Sequence, residues 1–274
     1  MKKSVLVTGC STGIGRYCIE QLKNDGFHVI ASARKAQDVQ DLKDAGFDAI
    51  HLDLDDSQSI SLAVQQTLKL TNGKLFALFN NGAYGQPGAV EDLTRDALRK
   101  QFETNVFGWL ELTNQILPHM KAAGEGRIIQ NSSVLGLVAM PFRGAYNSSK
   151  FALEGLTDTL RIELRDCPVH VSLIEPGPIL SKFRANALKA LQENVDIAKS
   201  DHAESYKQSI ERLSKEGPAA PFTLGPDAVY KRLHHSLTAT KPKARYYVTF
   251  PTYLFGFLRR ILPVSWLDYL LAKG

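Results

Sequence analysis

Through the first two-thirds of the chain, short apolar runs alternate with longer segments of helical period. The runs at 5–8, 28–32, 49–52, 75–80, 127–131 and 169–174 are mostly apolar rather than strictly alternating. A strand covered on both faces reads this way, whereas a half-exposed strand alternates apolar with polar positions. Helical patterns fill the gaps: from a Gly-rich turn to about Asp25, over 38–45, from Ser57 to about Leu70, from Thr94 to between Pro118 and Lys121, and from after Tyr146 to before Pro168. Ser57 and Thr94 are of the type that caps a helix, because a side-chain oxygen can accept from a free backbone N–H. Such repetition predicts parallel strands joined by right-handed crossovers, with helices on both faces of one sheet.

Past Pro178 the pattern changes. Residues 181–213 are polar, helix-prone and weakly amphipathic, and 216–226 are rich in Pro, Gly and Ala, as in a loop. Pro226 can open a helix to about Leu237, 246–249 reads as a last strand, and 251–271 is apolar around Arg259-Arg260. The expected organisation is a single α/β domain over 1–274, doubly wound, with a mostly parallel sheet of about seven strands. Its core would be 1–178, its substrate lid 179–225 and its apolar tail 246–274.

Composition adds little to this picture: 274 residues, 44% apolar and 22% charged, suit one soluble unit that buries its own core. The net charge of +5 reads first as a solvated basic surface, then as a match for an anionic cofactor or membrane. No dense run of Lys and Arg points to nucleic acid. Cys10, Cys18 and Cys167 fit neither a zinc nor a C-x-x-C pattern, and the histidines, including His234-His235, show no metal-ligand spacing. Unpaired thiols and an N-terminus that runs straight into a strand lead us to expect a cytoplasmic protein.

The Gly-rich turn is Thr8-Gly9-Cys10-Ser11-Thr12-Gly13-Ile14-Gly15, at the first strand–helix junction. Glycines there allow a tight turn and let backbone N–H groups approach a pyrophosphate at a helix N-terminus. No Lys-Ser or Lys-Thr follows, so it is not a P-loop. After the second strand a carboxylate would suit the ribose 2′-OH of NAD, but Ala33-Arg34-Lys35 stands here. Arg34 can pair with a 2′-phosphate, with Arg16 as a possible helper, which favours NADP(H).

With its spacing Gly-x-x-x-Gly-x-Gly, the chain resembles the short-chain dehydrogenase/reductase family from Ser4 to about Ser181, and more loosely to the C-terminus. The resemblance implies a Rossmann-like fold. It implies that Gly9, Ser11, Thr12, Gly13, Ile14 and Gly15 hold the dinucleotide phosphates. Asp53 and Leu54 match the family's position near the adenine. Asn81 and Gly82 stand where the family approaches the cofactor, with Gly82-Ala83 in exchanged order. Pro176, Gly177, Ile179 and Ser181 match the segment that meets the nicotinamide, Ser replacing the family's Thr.

Tyr146 and Lys150, four residues apart, share a face of a helix. A neighbouring ammonium favours a phenolate, so the pair could lower the Tyr146 pKa from about 10. Ser133, thirteen residues before Tyr146, matches the family's catalytic Ser, and Ser132 beside it reads as structural. Asn105 in Glu103-Thr104-Asn105-Val106 matches the catalytic Asn, whose family role is to hold a water in a proton relay through Lys150. Asn105, Ser133, Tyr146 and Lys150 are thus the expected catalytic set, with Tyr146 and Lys150 also touching the cofactor.

The stretches 136–146 and 174–178 resemble the hydroxysteroid and retinol dehydrogenase branch, and the whole chain resembles bacterial NADP-dependent aldehyde reductases. The implied substrate is an apolar aldehyde, ketone or steroid- or retinoid-like alcohol, with Leu135, Val138, Met140, Phe142 and Phe183 as candidate lining. The tail could lie in a membrane interface, but packing against protein is the preferred reading. A homodimer or homotetramer through the helices at 94–121 and 146–165 is implied. The alternatives are a catalytically silent NADPH-binding sensor on the same fold and a nucleotide-sugar epimerase or dehydratase.

Overall fold

The computed structural model describes residues 2–272. Met1, Lys273 and Gly274, which the unit 1–274 and the tail include, lie outside the described residues. In chain order the elements are β1 (Ser4–Val7), α1 (Gly13–Asn24), β2 (His28–Ala33), α2 (Ala36–Asp44), β3 (Asp48–His51), α3 (Ser57–Leu70), β4 (Ala77–Asn80), α4 (Arg95–Phe102) and α5 (Gly108–Ala123). They continue with β5 (Gly126–Asn131), α6 (Gly144–Glu163), β6 (Val169–Glu175), α7 (Phe183–Asn194), α8 (Ala203–Ser214), α9 (Asp227–Thr238), β7 (Arg245–Tyr247), α10 (Phe250–Ile261) and α11 (Val264–Leu271). The strands form one parallel sheet in the order β3-β2-β1-β4-β5-β6-β7.

Successive strand residues point to opposite faces, and both faces are apolar. Val5 and Val7, Val29 and Ala31, and Ala77 and Phe79 pack with α1, α2 and α9. Leu6, Ile30, Leu78 and Ile128 pack on the other side with α3, α5 and α6. Each fully buried Val, Leu, Ile or Phe side chain contributes roughly 1.5–3 kcal/mol, so the two layers hold the sheet from both sides. β1 has β2 on one flank and β4 on the other, so the chain winds outward both ways from this point. A crevice opens at the C-terminal ends of β1 and β4, where such a sheet binds ligands.

Local details depart from the sequence reading. Asp56, not Ser57, caps α3, its carboxylate accepting from Gln58 N at 2.8 Å, while Ser57 donates to Glu111. The segment begun by Thr94 is not one regular helix, because a π-turn over Glu103–Phe107 separates α4 from α5. Pro118 lies inside α5, which ends only at Gly124 in the left-handed region. α6 starts at Gly144, ahead of Tyr146. The last strand is shifted to Arg245–Tyr247 and the tail is two helices. Among the described residues no helix is long and apolar enough to cross a membrane.

The closing strand carries a buried charge cluster. Arg245 of β7 bonds Glu154 and Asp158 of α6 and Glu175 at the end of β6, and the Glu175 side chain is fully buried. One guanidinium thus ties the sheet edge to the helix that bears Tyr146 and Lys150. Removing one partner of a buried ion pair typically costs about 3–5 kcal/mol, because the remaining charges stay desolvated. Arg245→Met is therefore expected to lower unfolding free energy by about that amount. Arg245→Lys, which keeps the charge, should lose less; urea unfolding of the two variants provides the measurement.

Candidate active site

The glycine loop follows β1 because the chain must turn sharply beneath β4's own exit. A Cβ on Gly9, whose φ is +70°, would stand 2.6 Å from Gly82 Cα, so the two loops touch backbone to backbone. Gly13, at φ +61°, begins α1, and its missing side chain faces Ser181 at 3.0 Å. Thr12 makes no side-chain cap, which leaves the first N–H groups of α1 available to an anion. Cys10 turns into the core and donates to Val7 O, and burial pushes its thiol up to about 12. Ile14 packs at the edge of that core, and Ser11 stays exposed at the loop tip.

Asn81 is spent on the scaffold. Its amide donates to Thr8 O at 2.9 Å and its oxygen accepts from Asn131, while Thr8 Oγ1 receives the backbone N–H groups of Asn81 and Gly82. What the segment offers a ligand is its backbone. Arg34 is exposed and forms no ion pair among the described residues, whereas Arg16 is paired with Glu20 at 2.6 Å. Near Arg34 lie Asp55, bonded by Thr104, and the buried Tyr84 hydroxyl, which has no partner among the described residues. Asp53 turns the chain back by accepting from Asp55 N, and the Leu54 carbonyl lies where a Cβ on Gly108 would fall. The open loop backbone and the uncapped helix fit the phosphates of a dinucleotide, and the Arg34 guanidinium is exposed near them.

Ser133, Tyr146 and Lys150 converge beyond β5. Lys150 is fully buried, with Nζ donating to Asn131 O at 2.8 Å and standing 4.4 Å from the centre of the Trp109 ring. Trp109 is fixed in turn by donating to Gly82 O at 2.7 Å. Ser133 hydrogen-bonds Tyr146 and also accepts from Leu135 N. Asn105 sits in the π-turn, a distortion common at functional sites. Its side chain is committed elsewhere: it accepts from Tyr84 N and donates to Tyr84 O and Ser149 Oγ, not to Lys150. Asn105 therefore fixes the Tyr84 segment against α6.

The ionisation differs from the simple Tyr–Lys expectation. Burial pushes the Tyr146 hydroxyl above the ordinary phenol value, and Ser133 only partly offsets this. Burial also pushes the Lys150 ammonium down to about 7, opposed by the Glu154 carboxylate one turn along α6. Lys150 can thus both hold and release a proton near neutrality, which suits a relay better than a permanent charge.

Past Pro176, whose carbonyl accepts from Val134 N, the chain enters the covering segment. Gly177 leaves room for Thr249, and Ile179 and Leu224 meet in a β-bridge that closes the segment's base. Phe183 opens α7 over Ser181 and packs edge-on against Tyr146, ring centres 5.3 Å apart. Leu135 and Val138 belong to a small buried cluster against which Met140 and Tyr146 pack, together with Phe255 and Leu267 from the tail. Phe142 instead joins Tyr206 and His202 of the covering segment. Trp109, Tyr84, Glu154 and the tail residues escaped the sequence reading; of these only Glu154, four residues after Lys150, carries a helical-spacing signal. A recess of about 950 Å³ at the opposite end of the sheet, among Lys3, Lys23, His28 and Phe47, contains none of these groups.

Residues 3–192 match the family model described as short chain dehydrogenase. The chain is 42% identical over 271 residues to the uncharacterized oxidoreductase YbbO of Escherichia coli K12, covering 99% of this chain and 94% of that one. It is 32% identical to an NADPH-dependent 3-dehydrocapnine reductase of Ornithobacterium rhinotracheale, covering 98% and 95%. Among solved structures, a Burkholderia phymatum short chain dehydrogenase/reductase in complex with NAD superposes with a TM-score of 0.77 at 23% identity, covering 98% and 95%.

The Lys150 environment is open to direct titration. NMR of side-chain-labelled lysine should show one amine changing charge near pH 7, protonated below and neutral above. Glu154→Gln removes the carboxylate that favours the charged form, so the midpoint should move to still lower pH. An upward shift would contradict the assignment.

Proposed function

The chain belongs to the short-chain dehydrogenase/reductase family, and from that premise we propose that it moves a hydride between NADP(H) and an apolar carbonyl or alcohol, with carbonyl reduction as the working direction. The observation that carries this reading is the convergence of Ser133, Tyr146 and Lys150 at the crevice under an aromatic cover. The dinucleotide, when bound, supplies the hydride in reduction and takes it in oxidation. Ser133 holds the carbonyl oxygen in line with Tyr146, and the Tyr146 hydroxyl gives that oxygen its proton. Lys150 restores the proton to Tyr146, in keeping with an amine poised near neutrality. Phe183 excludes water from the reacting oxygen. In alcohol oxidation each proton moves the other way.

Arg34 supports NADP(H), since a guanidinium offers paired N–H groups to a 2′-phosphate and no carboxylate follows β2. The name of the 3-dehydrocapnine reductase points the same way, while the Burkholderia likeness bears on fold alone. Leu135, Val138, Met140 and Phe183 support an apolar substrate, with 179–225 acting as lid. Exposed Phe107, Leu110, Phe151 and Ile162, on the π-turn, α5 and α6, support self-association through these helices.

The test follows absorbance at 340 nm with NADPH or NADH and a panel of apolar aldehydes, ketones, steroids and retinal. NADPH-dependent turnover should vanish in Tyr146→Phe while NADPH binding persists; binding without turnover in the wild type would favour a sensor instead. Arg34→Glu removes a charge-assisted pair worth about 1.5–3 kcal/mol, so KM for NADPH should rise about tenfold to a hundredfold with little change for NADH. An equal effect on both dinucleotides would remove Arg34 from the 2′-phosphate.

A further inference from the structure

The two tail helices are inside out. In α10 the buried positions are Thr252 and Gly256, the latter against the Tyr247 ring, while Phe250, Leu254, Phe257 and Ile261 point outward. In α11, Leu271 is buried against Val134, Leu135 and Val138, yet Val264 and Trp266 are exposed. Phe257, Trp266 and Val264 are 60%, 67% and 74% exposed, far beyond what an isolated surface contact leaves. Phe222, at the tip of the loop between α8 and α9, adds to this surface by packing against Phe250 with ring centres 4.8 Å apart. Lid loop and tail thus share one apolar rim.

An exposed patch of this kind marks an interaction surface. Its chemistry suits a lipid interface: aromatic and aliphatic side chains beside Arg259 and Arg260, with Asp268 the only acidic residue from 250 to 271. The net charge of +5 draws the chain toward an anionic surface. A second copy of the chain has exposed apolar side chains of its own to meet at Phe107, Leu110 and Ile162, beyond Phe151, on which Arg259 of α10 stacks with its guanidinium carbon 5.2 Å from the ring centre. The inner side of the same tail supplies Phe255 and Leu267 to the cluster that contains Tyr146. Whatever covers the outer side therefore lies across the tail from the cluster that Tyr146 packs on.

We propose that the outward face of α10 and α11 seats on an anionic lipid bilayer, with Phe257, Val264 and Trp266 in its interface, and that the site takes long-chain carbonyl lipids from that bilayer. The second half rests on the carbonyl-reductase reading above; the first does not.

Trp266 reports on seating directly, because the chain has two tryptophans and Trp109 is already buried. Vesicles of phosphatidylglycerol and phosphatidylcholine in equal parts should shift the emission of the full chain to the blue and carry it upward in flotation, phosphatidylcholine alone doing so less. Phe257→Asp combined with Val264→Asp should reduce vesicle-bound protein by about tenfold while leaving the melting temperature unchanged. With NADPH, the double variant should show KM raised about tenfold for a long-chain ketone dissolved in the vesicles and unchanged for a short, water-soluble ketone. Absence of both blue shift and flotation overturns the seating, as does a double variant that merely splits a larger assembly in size-exclusion chromatography. Equal KM for the vesicle-borne ketone in both proteins overturns the delivery. Vesicle binding without turnover of any carbonyl would sink the catalytic reading and the delivery together, while supporting the seating.

Discussion

Lys150 brings an ammonium group into a fully buried place, and much of the structure answers to that constraint. A buried amine needs partners or it gives up its proton. Here one partner is a carbonyl at the end of β5, one is the indole ring of α5, and one is a carboxylate a turn along α6. The carboxylate in turn needs Arg245 from the last strand. So the final strand of the sheet, laid down far along the chain, bears on the charge at Lys150. The result is an amine near its balance point rather than a fixed positive charge.

The crevice depends on the reversal of winding between β1 and β4. The loops that leave these strands are pressed together through Gly9 and Gly82. Thr8 and Asn81 lock that contact with hydrogen bonds that leave the backbone facing outward. A hydrogen bond from Val134 N to Pro176 O ties in the covering segment, and Gly13, lacking a side chain, lets Ser181 come close to the loop. The glycine loop, Tyr146 and the covering segment are therefore neighbours at one end of the sheet. The cover is anchored from its far side by Tyr206, whose hydroxyl donates to Asp92 and accepts from Ala89 N. The tail packs on the same cluster as Tyr146 through Phe255, Leu267 and Leu271.

Much of this was written in local pattern. The doubly wound parallel sheet follows from apolar runs covered on both faces, and the fold brings Ser133, Tyr146 and Lys150 together beyond β5. Asn105 was found by motif, but its side chain pins Tyr84 and Ser149 instead of reaching Lys150. Asn81 likewise serves the scaffold. A motif gives position along the chain; the competition for a hydrogen bond is settled by whatever lies nearest in space.

The sequence by itself determined the alternation of strands and helices and the strand count, because periodicity is a local property, and its motifs resembled a family in which Asn105, Ser133, Tyr146 and Lys150 match the residues that do proton chemistry. The tertiary structure alone decided the direction of the ionisation. Tyr146 and Lys150 are four residues apart in any helix, but only burial, which depends on distant segments, raises the one and lowers the other. It also decided the fate of the tail. An apolar segment with two arginines can face inward or outward, and Gly256 against Tyr247, with Leu271 against Leu135, turned the remaining aromatic side chains to the outside.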